Sequence, residues 1–412
     1  MRVSNLRSGR PHRGGRRRSG RLPRTLIAVA AAAVLAIGAF AWGGSDEGQP
    51  RDAAPVVGGS DRPRAAPRRK SKWKPKQGVP GNVYAHTGAG MLSAGVKNDV
   101  ERIYVPNSDA DTVSVIDPRK ARVIDTFAVG DLPHHITPSH DLKTFYVNNT
   151  GGNSLTPIDP KTGRPKGRPI PVDDPYNLYF TPDGRSALVV AERLQRLDVR
   201  DPKTWRVQKS IPARCSGVDH MDFSADGRRA VASCEFDGSL LLLDLSGKKV
   251  LRRLRLDYPG AKPVDVRLSP DGKLFYIADE VANGVWKLDA DTFRIKGFIE
   301  TGRGTHGLYP SRDASVLYAT NRLAGTISVI DFATGKVRET WKIPGGGSPD
   351  MGGVSADGKL LWLSGRYNAE VYAIDTDDGK VHARVPVSAG PHGMLVWPQP
   401  GRYSLGHTGN MR

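Results

Sequence analysis

The sequence predicts an all-β chain, a seven-bladed β-propeller closed by its own C-terminal strand, and three observations predict it. Turn aspartates recur at Asp141, Asp183, Asp226, Asp271, Asp313 and Asp357, in steps of 42, 43, 45, 42 and 44 residues. A second ladder at Asp117, Asp159, Asp201, Asp244, Asp289, Asp331 and Asp375 gives seven copies. Between the rungs lie short runs rich in β-branched and aromatic residues, separated by turn chemistry, with no competing helical periodicity. Several short strands every 40–45 residues or so are the signature of a propeller blade.

The chain starts elsewhere. Of the formal net charge of +19, residues 1–80 hold 18 Lys and Arg against 4 Asp and Glu, a net of +14, which leaves +5 for residues 81–412. The folded part is thus only mildly basic, which argues against nucleic acid as a partner. Nine arginines lie between Arg2 and Arg24, ahead of an uncharged, alanine-rich run from Thr25 to Ser45. A basic segment before an apolar one reads as an export signal or membrane anchor over residues 1–45. Ala39-Phe40-Ala41 would suit cleavage, while the length of the run would suit a span. Either way the rest of the chain lies outside the cytoplasm. Residues 46–80 are rich in Pro, Gly and basic residues and read as a disordered stalk. Its cluster Arg68-Arg69-Lys70, with Lys72, Lys74 and Lys76, could touch an anionic envelope polymer. Residues 81–412 form the propeller with its tails.

Within a blade the strands are named A to D from the axis outward. In the most regular unit, A begins near His306, B is 316–321, C is 326–331 and D is 338–343. The first blade begins at its B strand, 102–107, followed by 112–117 and 123–129. Its missing A strand is expected from 392–397, so that one strand from the end pairs with three from the beginning. Closure of this kind removes exposed sheet edges. Gly184, Gly227, Gly272 and Gly358 follow four of the six turn aspartates, where a tight hairpin calls for positive φ.

Tyr104-Val105-Pro106-Asn107, Tyr146-Val147-Asn148-Asn149 and Tyr318-Ala319-Thr320-Asn321 resemble the Tyr-Val-Thr-Asn repeat of the YVTN (YncE-like) β-propellers. Thr112-Val113-Ser114-Val115-Ile116-Asp117 and the run 326–331 resemble that repeat's next strand. The likeness covers roughly residues 100–400 and implies the propeller fold and a bacterial extracytoplasmic setting. It implies no one activity. The third blade departs from it, with Val189-Val190-Ala191-Glu192 lacking both Tyr and Asn.

Seven residues before each turn aspartate stands a column reading His134, Tyr176, Asp219, Val264, His306 and Asp350, completed by His392. The next column reads His135, Asn177, His220, Asp265, Gly307, Met351 and Gly393. Both rim one mouth of the central channel, a usual place for ligands. Because strand neighbours point to opposite faces, only one column is expected to face the channel. Loops between strands B and C end on the same face and carry Glu192, Glu235, Asp279, Glu280, Arg322 and Arg366.

Around the ring, His134, His306, Asp350 and His392 form an arc whose three imidazoles and carboxylate would suit a transition metal. His135, Tyr176, Asn177, Asp219, His220, Asp265, Arg322 and Arg366 are expected to line a ligand site beside it. The plain alternative is that Pro-His-Gly is simply this repeat's turn. Two function classes follow. One is a non-catalytic envelope protein binding a small ligand, polymer or protein partner on the ring face. The other is a metal-assisted lactonase or lyase with Glu192, Glu235 or Glu280 as acid or base. The Pro-His-Gly copies look similar to those of propeller lactonases and streptogramin lyases, but no functional residue of those families maps here position by position. The covalent haem motif Cys-x-x-Cys-His is absent. The only two cysteines, Cys215 and Cys234, are expected to form a disulfide in an oxidising compartment. His86-Thr87-Gly88 recurs as His407-Thr408-Gly409, which reads as tail packing rather than a paired site.

Overall fold

A computed structural model describes residues 81–407 and 409–412; the basic segment, apolar run and stalk expected before residue 81 lie outside the described residues. Seven antiparallel sheets follow one another along the chain, and no α-helix occurs among the described residues. Their inner strands are Pro133–Pro138, Pro175–Phe180, Val218–Phe223, Pro263–Leu268, Thr305–Pro310 and Pro349–Val354 in blades 2 to 7, and Leu395–Trp397 in blade 1. That last strand closes the ring, pairing Trp397, Val396 and Leu395 with Arg102, Ile103 and Tyr104. Strands B and C of the repeat unit run Val316–Asn321 and Thr326–Asp331, as the sequence predicts, while D begins two residues early, at Lys336.

Burial follows from stacking blades face to face. Strands A to C are covered on both sides, whereas outer strands such as Arg122–Ala128 alternate exposed and half-buried residues. The contact between blades 3 and 4 is typical: Tyr179, Val190 and Leu197 meet Met221, Phe223, Ala232 and Leu241.

Local chemistry secures each blade twice. At the A–B turn, Ser or Thr two residues before the turn aspartate donates its hydroxyl to that carboxylate, at 2.6–2.7 Å in all six copies. The position after Asp has positive φ even in blades 2 and 6, where Leu142 and Ala314 replace glycine. At the opposite end, the repeat's Asn clasps strand C. Asn321 Nδ2 donates to Thr326 Oγ1 and Ser328 Oγ, both at 3.0 Å, and Asn149 does the same to Ser154 and Thr156. In blade 4 the clasp position is Cys234, and it is joined by a disulfide to Cys215 in the loop entering strand A. Closing a loop of 19 residues stabilises by about 3 kcal/mol through restriction of the unfolded chain.

The first described residues and the C-terminal tail cover the face opposite the histidine ring. Tyr84 donates its hydroxyl to the Leu268 carbonyl, and Val83 N–H to the Pro270 carbonyl. The C-terminal tail enters the channel from this face: Ser404–Gly406 lines up beside the inner strand of blade 3, with Gly406 opposite Tyr179. Beyond it, Arg412 bonds both oxygens of buried Asp222, at 3.0 and 3.2 Å, and lies over the Tyr84 ring.

Candidate functional site

The two columns of the sequence both reach the channel, which corrects the expectation that only one would. Each inner strand carries one residue more than its neighbour at this point. Thus Val218 faces Cys234 and Met221 faces Ala232, leaving Asp219 and His220 opposite Ser233 alone. The same surplus occurs in blades 2, 3, 5, 6 and 7, and in blade 1 between the Asn107–Pro391 bridge and the Tyr104–Leu395 pair. Such a bulge suspends strict alternation and bends the strand. A hydroxyl on strand B bonds the freed backbone: Ser233 accepts from His220 N–H, Thr320 from Gly307 N–H and Ser364 from Met351 N–H.

Six imidazoles therefore share one space. His134, His135, His220 and His306 come from inner strands, His392 from the segment leading into the inner strand of blade 1, and His407 from the tail read from the sequence as packing. Ring centroids of His220 and His407 are 4.3 Å apart, those of His134 and His392 4.4 Å, and those of His135 and His407 5.0 Å. His86, its supposed twin, remains half-buried on the opposite face. No signal in the repeat could have found His407, because the tail occurs once.

The predicted arc is assembled, but Asp350 is already engaged. His392 Nδ1 donates to its Oδ2 at 2.6 Å, His306 Nδ1 stands 3.0 Å from its Oδ1, and Arg322 reaches Oδ1 at 3.4 Å. Burial opposes the charge on Asp350, yet the two imidazoles and the guanidinium hold its carboxyl well below the usual range. His392 is pushed down to about 3 by burial, against the pull of Asp350, and so is neutral with its lone pair at Nε2. His134 completes the arc with its Nδ1 unpartnered.

From Asp350 a chain of charges runs round the mouth. Arg322 binds Glu280 at 2.7 Å, Glu280 binds Lys262 at 2.7 Å, and Lys262 binds Glu235 at 2.8 Å. Burial raises Glu280, but Arg322 and Lys262 outweigh it and bring it to about 2. Glu192 joins no salt bridge among the described residues, and burial with the charge of Glu235 pushes it up to about 7. Arg366 is tied to the Gly390 carbonyl and Ser108, and Asp279 to the Trp286 indole and neighbouring amides.

On the other side of the mouth, burial drives the Asp219 carboxyl well up, helped by Glu235 and Glu192. His220 Nε2 lies 3.2 Å from Asp219 Oδ1 but out of line for a hydrogen bond. Tyr176 covers His134 and His135, with centroids at 4.9 and 5.3 Å. Asp265 accepts from Val266 and Leu308 amides and holds Arg267 at 3.7 Å.

The fold is shared widely. A functionally unknown protein from Desulfotomaculum acetoxidans superposes with a TM-score of 0.60 at 14% identity, over 70% of this chain and 98% of that one. Hydrazine synthase of Kuenenia stuttgartiensis gives 0.56 at 20% identity, over 63% and 87%. The dihydro-heme d1 dehydrogenase NirN gives 0.56 at 14% identity, over 80% and 83%. At such identities the likeness concerns the fold alone. In sequence, the uncharacterised YncE proteins of Salmonella typhi and Salmonella typhimurium are 34% and 33% identical over 131 residues. Each match covers 31% of this chain and 36% of the relative, so the chain spans about a third of the length of the curated relatives it matches. The model of the YncE-like beta-propeller family matches residues 85–401, and the chain belongs to that family.

Proposed function

We propose that this protein is a binding propeller of the cell envelope that takes a partner on its ring face. The observation that carries this reading is an apolar crown round the mouth. Successive B–C loops of blades 3 to 7 present Leu194, Phe236, Val281, Leu323 and Tyr367 to solvent, with Phe236 59% and Tyr367 63% exposed. Apolar side chains gathered on one face mark interaction surfaces more often than isolated ones do. The crown sits directly on the charge chain: Lys262 lies over the Phe236 ring and Arg322 over that of Tyr367. A partner would thus meet aromatic anchors backed by fixed charges, the composition of binding hot spots. The disulfide supports a location outside the cytoplasm. Residues 81–84 leave from the opposite face, so an N-terminal tether would leave the crown free. Changing Phe236, Leu323 and Tyr367 together to Ser should abolish a partner cross-linked by the parent protein in its envelope, with the melting temperature unchanged. The exposed outer-strand Val207→Ser should keep it. Equal cross-linking by the triple variant would end the proposal.

One observation favours the second reading, a lactonase- or lyase-like enzyme. Glu192, at about 7, is poised as a general base at the same mouth. In that case turnover of a lactone substrate should rise as pH climbs through about 7 and vanish in Glu192→Gln. The same shift has a sign for stability. The folded carboxyl holds its proton more tightly than the unfolded one, so stability falls between pH 4.5 and about 7. Glu192→Gln should flatten that fall in denaturant titrations, and a pH profile unaltered in both respects would remove Glu192 from the reading.

A further inference from the structure

Below the mouth, three imidazoles meet from separate parts of the chain: His135 from blade 2, His220 from blade 4 and His407 from the C-terminal tail. One ring nitrogen of each lies within 4.8 Å of the corresponding nitrogens of the other two, and all three side chains are fully buried. We propose that His135, His220 and His407 bind one divalent transition-metal ion, zinc or copper, inside the channel, with the tail supplying the third ligand. This site is distinct from the arc around Asp350 and does not depend on the crown binding a partner.

Four observations support it. The first is chemical: three buried imidazoles offer nitrogen donors of the kind zinc and copper prefer. Second, Nε2 of each ring is buried without a hydrogen-bond partner among the described residues. An unpaired buried ring nitrogen is costly, and an ion bound among the three rings would relieve that cost. Third, the rings are oriented from behind. His135 Nδ1 donates to the Tyr176 carbonyl at 2.9 Å, which fixes its lone pair at Nε2, the arrangement of metal-bound histidines. The Asn177 amide nitrogen donates to His220 Nδ1 at 2.8 Å and to His407 Nδ1 at 3.1 Å, which sets both rings with their lone pairs at Nδ1, while its oxygen accepts from Leu178 N–H; an ion held by all three rings must displace or turn that one amide.

The fourth observation concerns the tail. Gly406 has φ +109°, and a Cβ there would come within 2.3 Å of the Leu178 carbonyl oxygen. Only glycine lets the tail lie this close to blade 3 and deliver His407 to the axis, where its N–H bonds that same carbonyl at 3.1 Å. A tail needed only as a plug would have no use for a histidine against two others.

The test uses the full chain without a histidine tag, stripped by chelator and titrated with Zn2+ or Cu2+ by calorimetry, with metal content checked by mass spectrometry. The expected result is one equivalent per chain. Affinity should fall at least about 100-fold in His135→Ala, His220→Ala and His407→Ala, and stay unchanged in His382→Ala, which alters a histidine on an outer strand. Should the alanine variants fold poorly, the Cu2+-loaded parent decides by electron paramagnetic resonance, where three imidazole nitrogens are expected and fewer would overturn the site. No stoichiometric uptake of either metal, or uptake that survives all three substitutions, would overturn it as well.

Discussion

Removing residues 391–412 should leave a chain that no longer unfolds as one cooperative unit. The loss takes away the strand paired with Arg102–Asn107, and with it Met394, Leu395, Val396 and Trp397, each at most 5% exposed. Burying such side chains is worth about 1.5–3 kcal/mol each, and together they rival the ~5–15 kcal/mol net stability of a domain. The deletion also opens the edge of blade 1, which then offers an unpaired ladder to other molecules. Trp397 further anchors the N-terminal segment, its indole donating to Asp99 at 3.0 Å. Circular dichroism melts should broaden and fall steeply, and light scattering should show association. A shorter deletion, of residues 401–412, keeps the closing strand and should retain a sharp transition. If the longer deletion melts within a few degrees of the parent, the strand does not hold the ring.

The second large effect is expected at Asp350. Its carboxylate is fully buried and serves His392, His306 and Arg322 at once. In Asp350→Asn the amide offers one acceptor oxygen where there were two, and Arg322 keeps Glu280 alone. Breaking a buried ionic cluster by removing one partner costs about 3–5 kcal/mol, because the remaining charge is left uncompensated. Urea denaturation should show a loss of that order. Arg322→Met in the same chain should return part of it, since the stranded charge is then gone and the two changes share one network. A loss under about 1 kcal/mol, or strict additivity, would mean that Asp350 is screened like a surface group.

The blades were legible because their signals repeat. Each turn aspartate is locked by a hydroxyl two residues earlier, and each clasping Asn meets a Thr and Ser on strand C, so fixed chemistry returns at fixed spacing. The site was legible only in part. The alternation rule that set one column against the other holds for regular strands, and it failed at the bulge, which involves backbone register and has no residue signature of its own. The arc residues do meet, but the sequence could not show that Asp350 would be bound to two of the histidines. His407 escaped altogether: its placement depends on a tail threading the channel, a contact across 230 residues from Asn177 that no local pattern encodes.

The bulge has a consequence for how such a channel can change. Seven inner strands with two consecutive residues turned to the axis give fourteen positions, most of which, Tyr176 and Val264 excepted, lie outside the apolar clusters between blades. Blade adhesion rests on other residues, such as Met221 and Phe223 one face away. Point substitutions at those positions that are not tied into a buried charge network, as Asp350 and Asp265 are, can therefore exchange one binding chemistry for another while the ring itself stays sound. Two propellers with superposable backbones can differ at many of these positions, so kinship in blade pattern predicts architecture and leaves the bound molecule to be read, channel by channel, from the side chains at the bulge.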